Sequence, residues 1–102
     1  MVSNLRPASV DDLPALRALA ARDIDESLLT TIPGERYMLV LDDEDGLAAA
    51  THFTIEDGRG HVRLIAIADH HRGEGLESRL VGVIESLCEA FGVDTFDVPR
   101  AA

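Results

Sequence analysis

Leu64-Ile-Ala-Ile-Ala-Asp-His-His-Arg-Gly-Glu-Gly-Leu-Glu-Ser-Arg-Leu80 changes character twice along its length. Leu64 to Ala68 is apolar at every position, the pattern of a strand covered on both faces rather than one. A polar loop follows. From Gly75 to Phe91, apolar residues return at helical spacing, with Leu76, Leu80, Val83, Ile84, Leu87 and Phe91 on one stripe. Gly92 is placed to end that helix. The strand-to-helix junction has the makings of an anion site. Gly73 and Gly75 let successive backbone N–H groups turn inward, and the free N–H groups of the first helical turn aim a partial positive charge at the same point. Arg72 adds a charge-assisted hydrogen bond suited to phosphate. Arg-Gly-x-Gly alone does not distinguish such a site from an ordinary strand-to-helix turn.

On the C-terminal side, Val93 to Val98 reads as a strand that Pro99 closes, and the right-handed strand-helix-strand connection makes it a parallel neighbour of the central strand. On the N-terminal side, the central strand runs from His61 to Ala68, entered through the turn Asp57-Gly58-Arg59-Gly60. Before it, Leu47 to Glu56 alternates: Leu47, Ala49, Thr51, Phe53 and Ile55 share one face, and Ala48, Ala50, His52, Thr54 and Glu56 the other. Tyr37 to Leu41 is a β-prone run joined to that strand by the acidic turn Asp42 to Gly46. Leu28, Leu29 and Ile32 suggest a short helix stopped by Pro33-Gly34. A helix capped by Ser9 or Asp11 places Val10, Leu13, Leu16 and Ala20 on one face, and Val2 to Arg6 reads as a first strand. The order is β-α-(α)-β-β-β-α-β. It is an α/β arrangement, with no repeat or linker across residues 1–102 to suggest more than one domain.

Composition narrows the function classes. The chain has 102 residues, 46% of them hydrophobic, and 19 acidic against 9 basic residues, for a net charge of −10. Every basic residue is arginine, and the arginines are scattered among acids, so no basic stripe is available to displace counterions from a nucleic-acid backbone. No apolar run approaches the ~20 residues of a membrane span, and the N-terminus lacks the charged and apolar regions of a signal peptide. A cytoplasmic protein binding neither nucleic acid nor membrane is expected. The single cysteine, Cys88, cannot form an intrachain disulfide, in keeping with a reducing compartment.

The segment Arg72-Gly73-Glu74-Gly75-Leu76-Glu77, preceded by an apolar strand and opening a helix, resembles the acetyl-coenzyme A motif of the GNAT acyltransferase superfamily. The opening Leu5-Arg6-Pro7-Ala8-Ser9 with Asp11-Asp12-Leu13-Pro14 is similar to that family's first strand and helix, and the element order agrees over residues 1–98. The resemblance implies a mixed, mostly antiparallel sheet with splayed central parallel strands, flanked by two to three helices. It also implies an N-acetyltransferase that uses acetyl-CoA as cosubstrate and a small-molecule or peptide amine as acceptor. Ala66, Ile67 and Ala68 would present backbone groups to the pantetheine arm. Arg72, Gly73, Glu74, Gly75, Leu76 and Glu77 would cradle the pyrophosphate, with Ser78 offering its hydroxyl.

Three departures from the family pattern shape the expectations. Glu77 stands where the family has Gly or Ala; a carboxylate about 5 Å from a phosphate would oppose binding by roughly 3 kcal/mol at an effective dielectric of 20. Turned outward, the same acid stabilises an empty helix end by about 0.3–1 kcal/mol. The chain stops where the family continues into a further helix and two strands, leaving Val93 to Val98 as a sheet edge, so a homodimer with Phe96 and Val98 near the contact is expected. No carboxylate stands on the central strand as a general base; His61 is the candidate, with a solvated strand-start histidine as its other reading. A GNAT-like binding or dimerisation module without catalysis is the alternative function.

The remaining residues read as structural. Asp69, His70 and His71 resemble a metal cluster, but adjacent loop histidines are expected to point apart, and no metal is expected. The acidic run ending at Gly46 fails as a calcium loop because its first and twelfth positions are Leu41 and His52. Cys88 beside the apolar stripe reads as a core thiol, Tyr37 as a core-edge packing residue, and His52 as a residue facing an acceptor pocket or water.

Overall fold

The computed structural model describes residues 5–21, 23–44, 46–93 and 95–97. Five strands form one sheet in the order β1-β2-β3-β4-β5. They are β1 (Leu5–Pro7), β2 (Arg36–Asp43), β3 (Gly46–Glu56), β4 (Arg59–Ile67) and β5 (Thr95–Asp97). The first four are antiparallel neighbours, and β5 runs parallel to β4, pairing with Arg59, Gly60 and His61. The expected strand-helix-strand return is therefore present, carried by α2 (Leu76–Ala90). Residues 98–102, including Val98, lie outside the described residues.

Helices cover both faces of the sheet. On one side α1 (Leu13–Ala20) sets Leu13 and Leu16 against Met38, Val40 and Ala50, with Ala8, Ile24 and Leu29 completing the layer. On the other, Ile84 and Cys88 of α2 pack on Tyr37, Leu39, Phe53 and Val62, while Leu76 and Leu80 meet Leu41 and Ala49. Residues 37 to 41 of β2 therefore alternate between two buried layers, and all five are buried. The doubly covered strands are β2 and β3. The expectation that Leu64 to Ala68 fills this role is corrected: Leu64, Ile65 and Ile67 are only half-buried, because β5 leaves that part of β4 unpaired among the described residues.

Two bulges explain where the alternation fails. Between Leu41 and Asp42 the β2–β3 register slips by one, leaving Ala48 as the extra residue, so Leu47 packs with the α1 layer and not with Ala49. The polar face assigned to Ala48, Ala50 and His52 is buried: Ala50 lies in the α1 layer and Ala48, the bulge residue, in the α2 layer. A second slip opposite His52 and Phe53 makes Arg63 the extra residue of β4. The β3–β4 turn is the two-residue pair Asp57-Gly58, both left-handed, and Gly60 already belongs to β4.

The helices depart from their sequence pattern at the ends. A 3-10 turn, Val10–Asp12, precedes α1, and Val10 is exposed rather than on the buried stripe. Leu28 and Leu29 lie in a 3-10 turn, Glu26–Leu29, and Ile32 instead bridges to Arg36. Phe91 falls outside α2 and is exposed; Gly92, left-handed, ends the helix as expected, with the Val93 N–H donating to the Cys88 carbonyl at 2.8 Å.

Candidate functional site

The junction between β4 and α2 begins with Ala68, whose N–H donates to the Ala48 carbonyl at 2.8 Å and whose own carbonyl accepts from the His71 N–H at 2.9 Å. Asp69–His71 is a single 3-10 turn. Arg72 returns to extended backbone, and Gly73 and Gly75 both adopt positive φ, +82° and +80°. Such angles suit glycine, and a Cβ at either position would meet nothing within 4 Å. Both glycines therefore border open space at the mouth of α2, where Gly75 is the N-cap and the first-turn amides have no acceptor within the helix.

The side chains around this turn are largely neutralised. Arg72 is 73% exposed, and its Nε lies 3.1 Å from Asp69 Oδ1. Glu74 Oε1 is 3.0 Å from His71 Nδ1, so that carboxylate is held by an imidazole. Leu76 turns its side chain into the core, while Glu77, Ser78 and Arg79 are exposed. Residues 72–78 thus form the turn into α2 and its first helical turn.

Ala66, Ile67 and Ala68 differ in where their backbone groups point. The Ala68 N–H is committed to β3, and in a strand successive residues direct their backbone groups to opposite sides. Ala66, in register with Ala50, faces β3 as well. Ile67 and Ile65 are the residues whose amides face away from β3, along the part of β4 that β5 does not pair.

His61 lies six residues before Ile67, about 20 Å along the strand, and is in register with Thr54 and Asp97. It is half-buried and is not part of the cradle. Tyr37 is buried, stacks on Phe53 at 4.6 Å between centroids, and accepts the Gly34 N–H at 2.8 Å through its hydroxyl. Cys88 is buried, which raises its thiol pKa and fits a core role. His52 is buried rather than facing water. An apolar groove of about 530 Å³ runs along the far side of α2, between Val83 and Leu87 and the edge formed by Leu5, Pro7 and Leu39.

The expectation for the loop histidines fails. His70 and His71 do not point apart: their rings lie 4.3 Å apart, and both Nε2 atoms reach Asp43 Oδ2, at 3.0 Å and 2.6 Å. Glu74 and then Asp43 raise the His71 pKa. Sequence reasoning missed Asp43, although a signal was present. In an antiparallel meander β2 and β4 run the same way, so the residue ending β2 and the loop after β4 emerge at the same end of the sheet.

No family model and no curated protein matches the chain. Solved structures do. The ribosomal-protein-S18-alanine N-acetyltransferase of Escherichia coli superposes with a TM-score of 0.73 at 18% identity, over 94% of this chain and 64% of that one. The chain thus spans just under two-thirds of that enzyme. Glucosamine-6-phosphate N-acetyltransferase of Arabidopsis thaliana gives 0.77 at 15% identity, over 99% of this chain and 83% of that one. N-acetylglutamate synthase of Neisseria gonorrhoeae, complexed with coenzyme A and N-acetyl-glutamate, gives 0.73 at 19% identity, over 91% of this chain and 24% of that one. At identities of 15–19% the likeness is one of fold, and the chain has the GNAT N-acetyltransferase fold.

Proposed function

We propose that this protein is an N-acetyltransferase that takes an acetyl group from acetyl-CoA and places it on the amine of a small molecule or peptide. The observation that carries this reading is the pair of positive-φ glycines, Gly73 and Gly75, that border open space at the N-terminus of α2 beside the exposed Arg72. A diphosphate suits such a turn through backbone N–H groups and one guanidinium. Of the nearby carboxylates, Asp69 is tied to Arg72 and Glu74 to His71, while Glu77 stands exposed in water where its repulsion is screened. The pantetheine arm carries amides. Ile65 and Ile67 offer complementary groups on the unpaired side of β4, where splayed strands would admit an extended ligand in the manner of an added strand.

In the transfer, the amine nitrogen bonds to the thioester carbon, the carbon–sulfur bond breaks, the amine gives up a proton and the thiolate takes one. The protein supplies placement and polarisation of the carbonyl by strand amides. His61 is the candidate base. The net charge of −10 favours a cationic acceptor. A binding module that does not catalyse is the second reading, favoured by Glu77 in the first turn of α2.

The test is thermal unfolding with acetyl-CoA. At a hundred times its dissociation constant the ligand adds about 2.7 kcal/mol of stability to the wild type. Arg72→Ala should lose at least tenfold in affinity while changing stability by less than about 0.5 kcal/mol, as an exposed ion pair contributes little to folding. Glu77→Gly should leave affinity nearly unchanged; a tenfold or greater gain would show that the wild-type cradle is obstructed and support the second reading. Absence of any shift in all three proteins would exclude coenzyme A and with it the proposed reaction.

A further inference from the structure

The end of β2 and the loop after β4 bring together three side chains that the acetyl-transfer reading does not use as ligands of the cradle. Asp43 Oδ2 is shared by His70 Nε2 at 3.0 Å and His71 Nε2 at 2.6 Å, and the three candidate donor atoms all lie within 4.8 Å of one another. We propose that Asp43, His70 and His71 form a binding site for a borderline divalent cation of the Zn²⁺ type, with Glu74 orienting His71 from behind.

The donor set favours this chemistry. Two imidazoles and one carboxylate suit Zn²⁺ and its neighbours in the first transition series, whereas Mg²⁺ and Ca²⁺ call for oxygen ligands. Zinc bound at 2.0–2.2 Å to nitrogen and oxygen in a tetrahedron sets its ligands about 3.3 Å apart. The two observed contacts to Asp43 therefore open by less than about 1 Å to admit the ion. Asp43 and His71 are held among neighbours, with side chains 5% and 11% exposed, while His70 is 60% exposed and has the room to supply the adjustment. The same exposure leaves a way in for the ion and a fourth position for water.

The surroundings of His71 supply the second observation. Its Nδ1 lies 3.0 Å from Glu74 Oε1, the carboxylate–histidine arrangement that fixes a ligating imidazole in one orientation and turns the lone pair of its other nitrogen to the metal. Asp43 thus faces one ring nitrogen and Glu74 the other. The ion would replace the proton that Asp43 and the imidazoles share, and it would join the β2–β3 hairpin to the loop that opens α2. This inference does not depend on acetyl-CoA binding; the site stands on residues 43, 70, 71 and 74 alone.

The experiment uses untagged full-length protein, freed of metal by chelation, and titrates it with Co²⁺ and then Zn²⁺. We expect a visible Co²⁺ absorption band characteristic of low coordination number, abolished by one equivalent of Zn²⁺. His70→Ala, which changes an exposed side chain and should fold normally by circular dichroism, should weaken Zn²⁺ binding at least tenfold. Glu74→Gln should weaken it by about 10–100-fold. His61→Ala should leave it unaltered, which separates this cluster from histidines elsewhere. No stoichiometric binding to the wild type, or equal Zn²⁺ affinity in the wild type and folded His70→Ala, would overturn the proposal.

Discussion

Arg6 joins three parts of the chain through one guanidinium. It donates to both oxygens of Asp12, at 2.8 and 2.9 Å, and to both oxygens of Asp42, at 2.6 and 3.0 Å. Asp12 also accepts the Ser9 N–H at 2.8 Å, so its anion is held at the start of the helical segment, and its pKa falls to about 2, with Arg6 the principal cause. Because the folded value lies below the unfolded one, the stabilisation is present above about pH 4 and is lost as the pH falls through about 2. A shift of this size corresponds to about 2 kcal/mol; Arg6 is 38% exposed and its charge screened, so about 1 kcal/mol is the better figure. Asp12→Asn should therefore destabilise the protein by about 1 kcal/mol at pH 7, and the gap from wild type should close between pH 4 and pH 2. Urea unfolding at these pH values measures both; a gap that persists at pH 2 would mean Asp12 acts through packing. In the sequence, Arg6 and Asp12 were legible as an opening motif and a first-turn acid, but their pairing with Asp42 depended on β1 and β2 becoming neighbours.

At the scale of elements, α2 was legible because its stripe of Leu76, Leu80 and Ile84 repeats every fourth residue and ends at Gly92, so local pattern and tertiary burial agree. The β-strands were legible in position but not in facing. A one-residue bulge reverses the parity of everything beyond it, and neither Ala48 nor Arg63 carries a residue signal that announces one. The direction of the backbone groups was equally illegible: the amides of Ala66 and Ala68 face β3, while those of Ile65 and Ile67 face the side that β5 leaves unpaired. The turn into α2 was legible, since two glycines separated by one residue at a strand-to-helix junction supply the positive φ that the turn requires. Gly73→Ala tests that requirement. With nothing within 4 Å of the added methyl, the cost to stability is backbone strain alone, about 1–2 kcal/mol. The methyl would project into the open space where the proposed diphosphate sits, so affinity for acetyl-CoA should fall more than stability does, beyond tenfold in titration calorimetry; a variant that binds as well as wild type would place the ligand elsewhere.

For the whole molecule, the two ends of the sheet are unequally protected. At one end β1 is three residues long and carries Pro7, which has no N–H to offer a partner, and the charged Arg6. At the other, no strand pairs with the outer side of β5 among the described residues, and Thr95-Phe96-Asp97 contains no proline. Pairing over three residues alone falls short of the roughly 1,200 Å² that specific interfaces bury. Phe91, 48% exposed, lies against Gly34 just before β2, three places from β5 in the sheet, and adds nothing to that edge. An antiparallel approach of two β5 edges is isologous and would continue the sheet across two copies. We therefore expect a weak homodimer, formed only at high micromolar concentration. Light scattering across a concentration series decides it: a wild type that stays monomeric at high micromolar concentration would remove the β5 edge as a contact.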